Sequence, residues 1–370
     1  HCPLRRQRQM CIRDRNYVHR SPLGTVGLIT PWNLPLYLLS WKVAPALLMG
    51  NTIVAKPSEI TPLTANVLAE TLHELKLPPG VFNLVHGLGP EVGQSILEAP
   101  EIKGISFTGG TATGRIVART AAPMFKKLSL ELGGKNATIV LSDADLSQAV
   151  DGAVRAAFTN SGQVCLCGSR ILVDASIADA FTKLFIEKVE SIQIGNPSLD
   201  ETVMGSVISP EHLEKVESYI ELGLAEGGTV LTGGTREMTG FNGPNGVGAF
   251  LRPTVVADLP HTSRCATEEI FGPMVTLHTF DSEEQAVEMA NHSEYGLAGS
   301  VWTTDLERGR DFATKIETGI VWVNTWLHRD LRTPFGGMKN SGVGREGGKW
   351  SMEFFSEMTN VCVKFPNPSK

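Results

Sequence analysis

The sequence predicts an α/β fold: a doubly wound parallel sheet followed by a second α/β domain. From Gly24 to Val140, short β-branched runs alternate with helical stretches, the pattern of parallel strands joined by crossover helices. The same alternation resumes beyond Cys165. A chain of 370 residues also has the length for two domains and a large core.

The elements follow in order. "GTVGLIT" (24–30) reads as a strand. "LPLYLLSWKVAPALLMG" (34–50) is the most apolar long stretch, but it is short for a bilayer span and holds Lys42, Pro35 and Pro45, so it reads as buried core. "NTIVAK" (51–56) is a strand, and "TPLTANVLAETLHEL" (61–75) a helix with Pro62 near its first turn. "VFNLVHG", "KGISFTG" and "KKLSLEL" are strands; "GPEVGQSILEA" and "TATGRIVARTAA" are helices between them. "NATIVLSDADLSQAVDGAVRAAFTNSGQ" (136–163) opens a further strand and helix. "SRILVD", a helix over 176–191, "TVVADL", "FGPMVTLHTF", a helix over 283–290 and "GIVWVN" make up the second domain. "EMTNVCVKF" (357–365) alternates enough to be a strand.

Two glycine loops each follow a strand and open a helix. "HGLGPEVG" (86–93) is one residue too long for the dinucleotide fingerprint. "FTGGTATG" (107–114) lacks the Lys-Ser/Thr of a P-loop, which speaks against phosphoryl transfer, yet its glycines and helix amides suit a pyrophosphate. Two such loops on one sheet modestly favour a dinucleotide site over ordinary turns.

Composition removes other classes. The net charge of −6 is dispersed, and nucleic-acid binders need a basic surface. No apolar h-region follows the amino-terminal arginines, so no signal peptide is read. Six cysteines without a C-x-x-C pair do not form a disulfide scaffold or a zinc ribbon, and the chain reads as cytoplasmic with no membrane partner. The nine histidines show no H-x-x-H or H-E-x-x-H spacing, and no catalytic metal is expected. "HCPLRRQRQMCIRDR" (1–15), with five arginines and no apolar periodicity, reads as an extraneous or disordered leader. In "NSGQVCLCGSR" (160–170), Cys165 and Cys167 stand one residue apart. Metal ligands, a redox pair, buried filler and a nucleophile with a bystander are all open readings of that spacing.

Seven motifs then occur in one order: "PWNLP" (31–35), "AKPSEITPLT" (55–64), "SFTGGTATG" (106–114), "LELGGKNA" (130–137), "GQVC" (162–165), "EEIFGP" (268–273) and "PFGGMKNSGVGRE" (334–346). From about Tyr17 to Lys364 the chain closely resembles the aldehyde dehydrogenase superfamily, and the spacing of Glu131 and Cys165 fits it too. "PWNLPLYLLSWKVAPAL", "LCGSRI" and "WLHRDLRTPFGG" look most like its 2-aminomuconic semialdehyde branch, with the 2-hydroxymuconic semialdehyde enzymes as near relatives. Members of the superfamily are longer at the amino terminus, so the chain is expected to be an amino-terminally truncated fragment.

The resemblance implies these boundaries: a leader (1–15), the remnant of an oligomerisation hairpin (16–23), an NAD-binding domain (24–133), a catalytic domain (134–335), a segment returning to the NAD-binding domain (336–356), and an oligomerisation strand and tail (357–370). It makes Cys165 the nucleophile, since a thiolate forms an adduct able to release hydride and its thioester hydrolyses readily. Asn33 would donate to the oxyanion together with the Cys165 N–H. Glu131 would be the base that activates water, and its presence argues against a CoA-acylating enzyme. Cys167 is read as a packing neighbour. NAD is the implied cofactor. Lys56 and Glu59 would hold the adenosine ribose, with Glu59 repelling a 2′-phosphate. Gly109, Gly110 and Gly114 would line the pyrophosphate, Glu269 and Phe271 the nicotinamide ribose, with Trp32 nearby or in the core. Arg329 and Arg332 are the candidates for anchoring a substrate carboxylate, Arg329 preferred. The expected activity is oxidation of 2-aminomuconate semialdehyde or a close analogue. Alternatives are 2-hydroxymuconic semialdehyde, generic aldehydes, or an inactive binding protein on the same scaffold. A homodimer or homotetramer is expected.

Overall fold

A computed structural model describes residues 15–237 and 248–364. The expected leader (1–15), apart from Arg15, and the tail after Lys364 lie outside the described residues. Five parallel strands, Thr25–Ile29, Thr52–Lys56, Phe82–Leu84, Ile102–Thr108 and Lys127–Glu131, form the first sheet, and Gly342–Val343 joins it antiparallel against Glu131 and Leu130. From Thr25–Ile29 the chain builds outward to one edge, then returns through Ile102–Thr108 to build toward the other. That reversal leaves a crevice at the carboxyl ends of these two strands, where open α/β sheets bind ligands. Helices cover both faces. Leu39, Val43 and Ala46 pack with Val26, Leu28 and Ile53 on one; Val117 and Ala121 pack with Ile105, Phe107 and Leu130 on the other.

The apolar stretch near residue 40 is the helix Pro35–Leu48. One face of it is core. Only Leu39, Lys42, Val43 and Ala46 are buried, at one-face helical spacing, while Leu36, Tyr37 and Leu48 are exposed. No helix among the described residues is long and apolar enough to cross a membrane.

The second sheet has seven strands, in the order Ile320–Val323, Ala298–Trp302, Ala137–Val140, Arg170–Asp174, Met274–Phe280, Thr254–Ala257 and Thr229–Thr232. All are parallel except the last. Its strands are nearly continuous apolar runs because helices bury both faces. The helix Pro210–Ala225 is absent from the expected elements, although Ser209 caps His212 N–H and Pro210 stands at its first turn.

Arg15–Pro22 and Ser356–Val363 form a separate antiparallel ribbon, running from Arg15 opposite Val363 to Pro22 opposite Ser356. Nearly all of its residues are exposed.

Candidate active site

The two sheets present opposite edges to each other. Glu131 ends a strand of the first sheet, Asn136 stands immediately before a strand of the second, and Gly133–Gly134 turns between them. The carboxyl edge of one sheet thereby faces the amino edge of the other.

Glu131 is 4% exposed, and among the described residues neither carboxylate oxygen has a hydrogen-bond partner. Its backbone carbonyl accepts from Gly109 N–H at 3.0 Å. The side chain reaches Gly336, where a Cβ would stand 2.7 Å from Oε1. Burial raises its pKa well above the usual carboxyl range and Glu346 adds to this, against Lys42, Arg345 and Arg329. Lys42, 1% exposed, is ion-paired to Glu346. Ser106 Oγ bridges that pair, accepting from Lys42 Nζ at 2.8 Å and donating to Glu346 at 3.0 Å.

Cys165 sits on a constrained loop. Asn160, Ser161 and Gly162 are left-handed in succession, with φ of 54°, 55° and 71°. Two of them are not glycine, a conformation that costs of order 1–2 kcal/mol per residue. Gly162 is obligatory, since a Cβ there would lie 2.1 Å from the Gly272 carbonyl oxygen. Val164 to Cys167 then form a tight turn closed by Cys167 N–H on the Val164 carbonyl, 2.9 Å. Side chains hold all three carbonyls that follow. Asn136 Nδ2 donates to Cys165 O (2.8 Å) and Cys167 O (2.9 Å), and Trp326 Nε1 donates to Leu166 O (2.9 Å). Asn136 Oδ1 accepts from Ala298 N–H. An extended segment would have set both cysteines on one side. The turn does not: Cys167 is buried with Sγ 3.8 Å from the Thr159 carbonyl, while Cys165 is partly exposed. Burial, then Glu131 and Glu269, push the Cys165 thiol well up. Asn33 lies beside this loop, its Nδ2 donating to Gln163 O at 2.9 Å, and Asn160 Nδ2 donates to Asn33 O at 3.2 Å.

Glu269 crosses the Gly133–Gly134 turn. Gly134 N–H donates to Oε1 at 2.9 Å, and a Cβ on Gly133 would stand 2.1 Å from Oε2. The next aromatic along, Phe271, has φ 63° and meets Trp32 edge-on at 5.6 Å. His212 joins the pair, 5.8 Å from Trp32, with Nε2 2.7 Å from Phe271 O. Trp32 is therefore part of an aromatic cluster between the sheets. Lys56 Nζ donates to Glu59 at 3.2 Å and to Pro57 O at 3.0 Å. Burial raises the Glu59 carboxyl, but its own N–H and Lys56 outweigh this and hold it below its usual value.

These residues fit a dinucleotide. The helix Thr111–Ala121 starts at Gly110 with no side chain capping its amides, which leaves N–H groups for a pyrophosphate. A Cβ on Gly110 would meet nothing within 4 Å. Gly114 has another reason to be glycine: a Cβ there would lie 2.5 Å from Leu132, so it permits close helix-to-strand packing.

Arg329 and Arg332 part company. Arg329 is half-buried against Trp41, Phe335 and Tyr37, and its charge lowers the pKa of both Glu131 and Cys165. Arg332 is exposed and its fork is taken by Asp330, Nε at 2.9 Å and Nη2 at 2.7 Å. A guanidinium already paired in solvent presents no free fork, which leaves Arg329 the better placed of the two candidate anchors. Sequence reasoning missed Asn136, Lys42 and Glu346. Asn136 and Glu346 both stood inside quoted motifs, but Lys42 and Glu346 meet only through the fold.

The aldehyde dehydrogenase family model matches residues 5–361. A 2-aminomuconic 6-semialdehyde dehydrogenase of Pseudomonas sp. is 50% identical over 355 residues, 96% of this chain and 72% of the relative. The human 2-aminomuconic semialdehyde dehydrogenase is 48% identical over 349 residues, with 94% and 72% covered. The crystal structure of betaine aldehyde dehydrogenase from Staphylococcus aureus with NAD+ superposes with a TM-score of 0.90 at 41% identity, covering 95% of this chain and 69% of that one.

Proposed function

The chain belongs to the aldehyde dehydrogenase family and is an NAD-dependent enzyme; we propose that it oxidises a carboxylated, conjugated semialdehyde, 2-aminomuconate semialdehyde or its 2-hydroxy analogue, to the acid. Relatives named for both substrates support the class. One observation carries the mechanism: at the end of a strand stands a buried carboxyl, Glu131, both oxygens without a partner among the described residues, close enough to the constrained loop for its charge to act on Cys165.

In this reading Cys165 Sγ, its thiol proton lost to solvent water, bonds to the aldehyde carbon, and Glu131 stays ionised for the second half-reaction. The oxyanion accepts from Asn33 Nδ2 and Cys165 N–H; one such donor is worth about 3 kcal/mol in the barrier. NAD, when bound, supplies the hydride acceptor. Glu59 and Lys56 hold its adenosine ribose, the amides behind Gly109 and Gly110 its pyrophosphate, and Glu269 with Phe271 its nicotinamide end. Glu131 then takes a proton from water as the water oxygen attacks the thioester carbon, the C–S bond breaks, and the acid leaves with Cys165 restored. Arg329 receives the far carboxylate. The test is NADH formation from adipate semialdehyde compared with its methyl ester, which removes that charge on the same carbon chain. A marked preference for the acid is expected; equal kcat/KM would overturn the carboxylate reading.

A homodimer or homotetramer completes the proposal. The exposed ribbon Arg15–Pro22 with Ser356–Val363 supports it, because a lone two-stranded ribbon is marginal in water and its edges suit a neighbouring sheet. Light scattering that gave a monomer would contradict it.

A further inference from the structure

Arg329 does not stand free at the site. Its guanidinium carbon lies 4.3 Å from the centre of the Phe335 ring, 4.9 Å from Trp41 and 5.9 Å from Tyr37. Arg329 Nη1 donates to Tyr37 Oη at 2.7 Å. Tyr37 and Trp41 stand four residues apart on the helix Pro35–Leu48, on one face of it, and are near-parallel at 6.0 Å and 25°. Trp41 meets Phe335 edge-on at 6.4 Å. Phe335 is fixed by paired backbone bonds with Glu346, N–H to O at 2.8 Å and back at 2.7 Å.

We propose that Tyr37, Trp41 and Phe335 are specificity-determining positioning residues: the three rings seat Arg329 as a preformed carboxylate receptor. The inference rests on the reading that Arg329 receives the substrate carboxylate. Ring faces carry negative partial charge and attract a cation. They also exclude water from the covered side of the guanidinium, leaving its remaining N–H donors to a ligand. An unheld arginine gives up rotamer freedom when it grips a ligand. A caged one has lost that freedom beforehand, so more of the ion pair appears as binding. The planar guanidinium suits a stack on Phe335, which an ammonium does not reproduce.

The experiment measures preference, the ratio of kcat/KM for adipate semialdehyde to that for its methyl ester, in the NAD-saturated enzyme. A ratio cancels damage common to both substrates, as a merely structural role would cause. Trp41→Leu is expected to lower it by about tenfold, the scale of one well-formed cation–π contact with a partly desolvated guanidinium. Tyr37→Phe, at an exposed position that tolerates the change, should lower it by about threefold through loss of the hydroxyl. Arg329→Lys should lose most of the preference despite keeping the charge. If Arg329→Ala collapses the ratio but Trp41→Leu and Tyr37→Phe leave it at the unaltered value, the cage inference is overturned and the carboxylate reading stands. If Arg329→Ala itself leaves the ratio unchanged, both fall.

Discussion

Two stretches of the first sheet's carboxyl edge, at Lys56 and at Glu131, handle charge in opposite ways. At the first, buried Lys56 is paired with Glu59 at 3.2 Å and the Glu59 side chain is 45% exposed. At the second, Glu131 and, four residues on, Lys135 are buried, and among the described residues neither has a partner for its charged atoms. Burial, then Arg170, lowers Lys135 to about 7. A charge paired with a solvated partner costs little and contributes modestly. Buried unpaired ones lower stability and are kept where chemistry needs a shifted proton affinity. The difference teaches which stretch recognises and which reacts.

Replacing Cys165 with Ala tests that division most severely. Turnover should fall by at least about ten-thousandfold, while NAD affinity, measured by fluorescence titration, should change by less than about twofold, because the thiol is not among the proposed cofactor contacts. A parallel loss of NAD binding would break the comparison.

Glu131→Gln should lower kcat by about a hundred- to ten-thousandfold and raise Tm. The sign follows from the raised pKa. Between the ordinary carboxyl range and the folded value, the folded chain binds more protons than the unfolded one, so stability falls as pH rises through that window. Denaturant unfolding across pH should lose this slope in the glutamine variant. The same shift moves the acid limb of kcat upward, since the base must be ionised to act.

Asn136→Ala should cost about 1–3 kcal/mol of stability by leaving the Cys165 and Cys167 carbonyls and Ala298 N–H unpartnered. It should also slow acylation of Cys165 in single-turnover kinetics. An unchanged rate would mean the clamp holds the fold but not the nucleophile. Glu59→Gln should have the smallest effect, raising KM for NAD by up to about tenfold with less change in kcat.

The same contrast explains what could be read from sequence. Strand–helix alternation placed the parallel strands, because local periodicity reflects burial in a covered sheet. Glu131 and Cys165 were legible because each stands in a contiguous motif. The cage around Arg329 was not: Tyr37 and Trp41 come from one helix and Phe335 from a turn some three hundred residues later. The Lys42–Glu346 pair was hidden for the same reason, since a lysine in an apolar helix looks like an interruption until its partner arrives through the fold. The left-handed run at Asn160 and Ser161 carries little signal, as only Gly162 among the three advertises that conformation. The turn at Cys165 to Cys167 was missed because its closing bond depends on backbone angles rather than residue type.

The central claim is that Cys165 is acylated and Glu131 releases the acyl group. Glu131→Gln enzyme, mixed with NAD and adipate semialdehyde, quenched and digested, should give an acylated peptide containing Cys165 at close to one per chain, with one equivalent of NADH and almost no further turnover. Sustained turnover at the unaltered rate without that adduct would contradict the account.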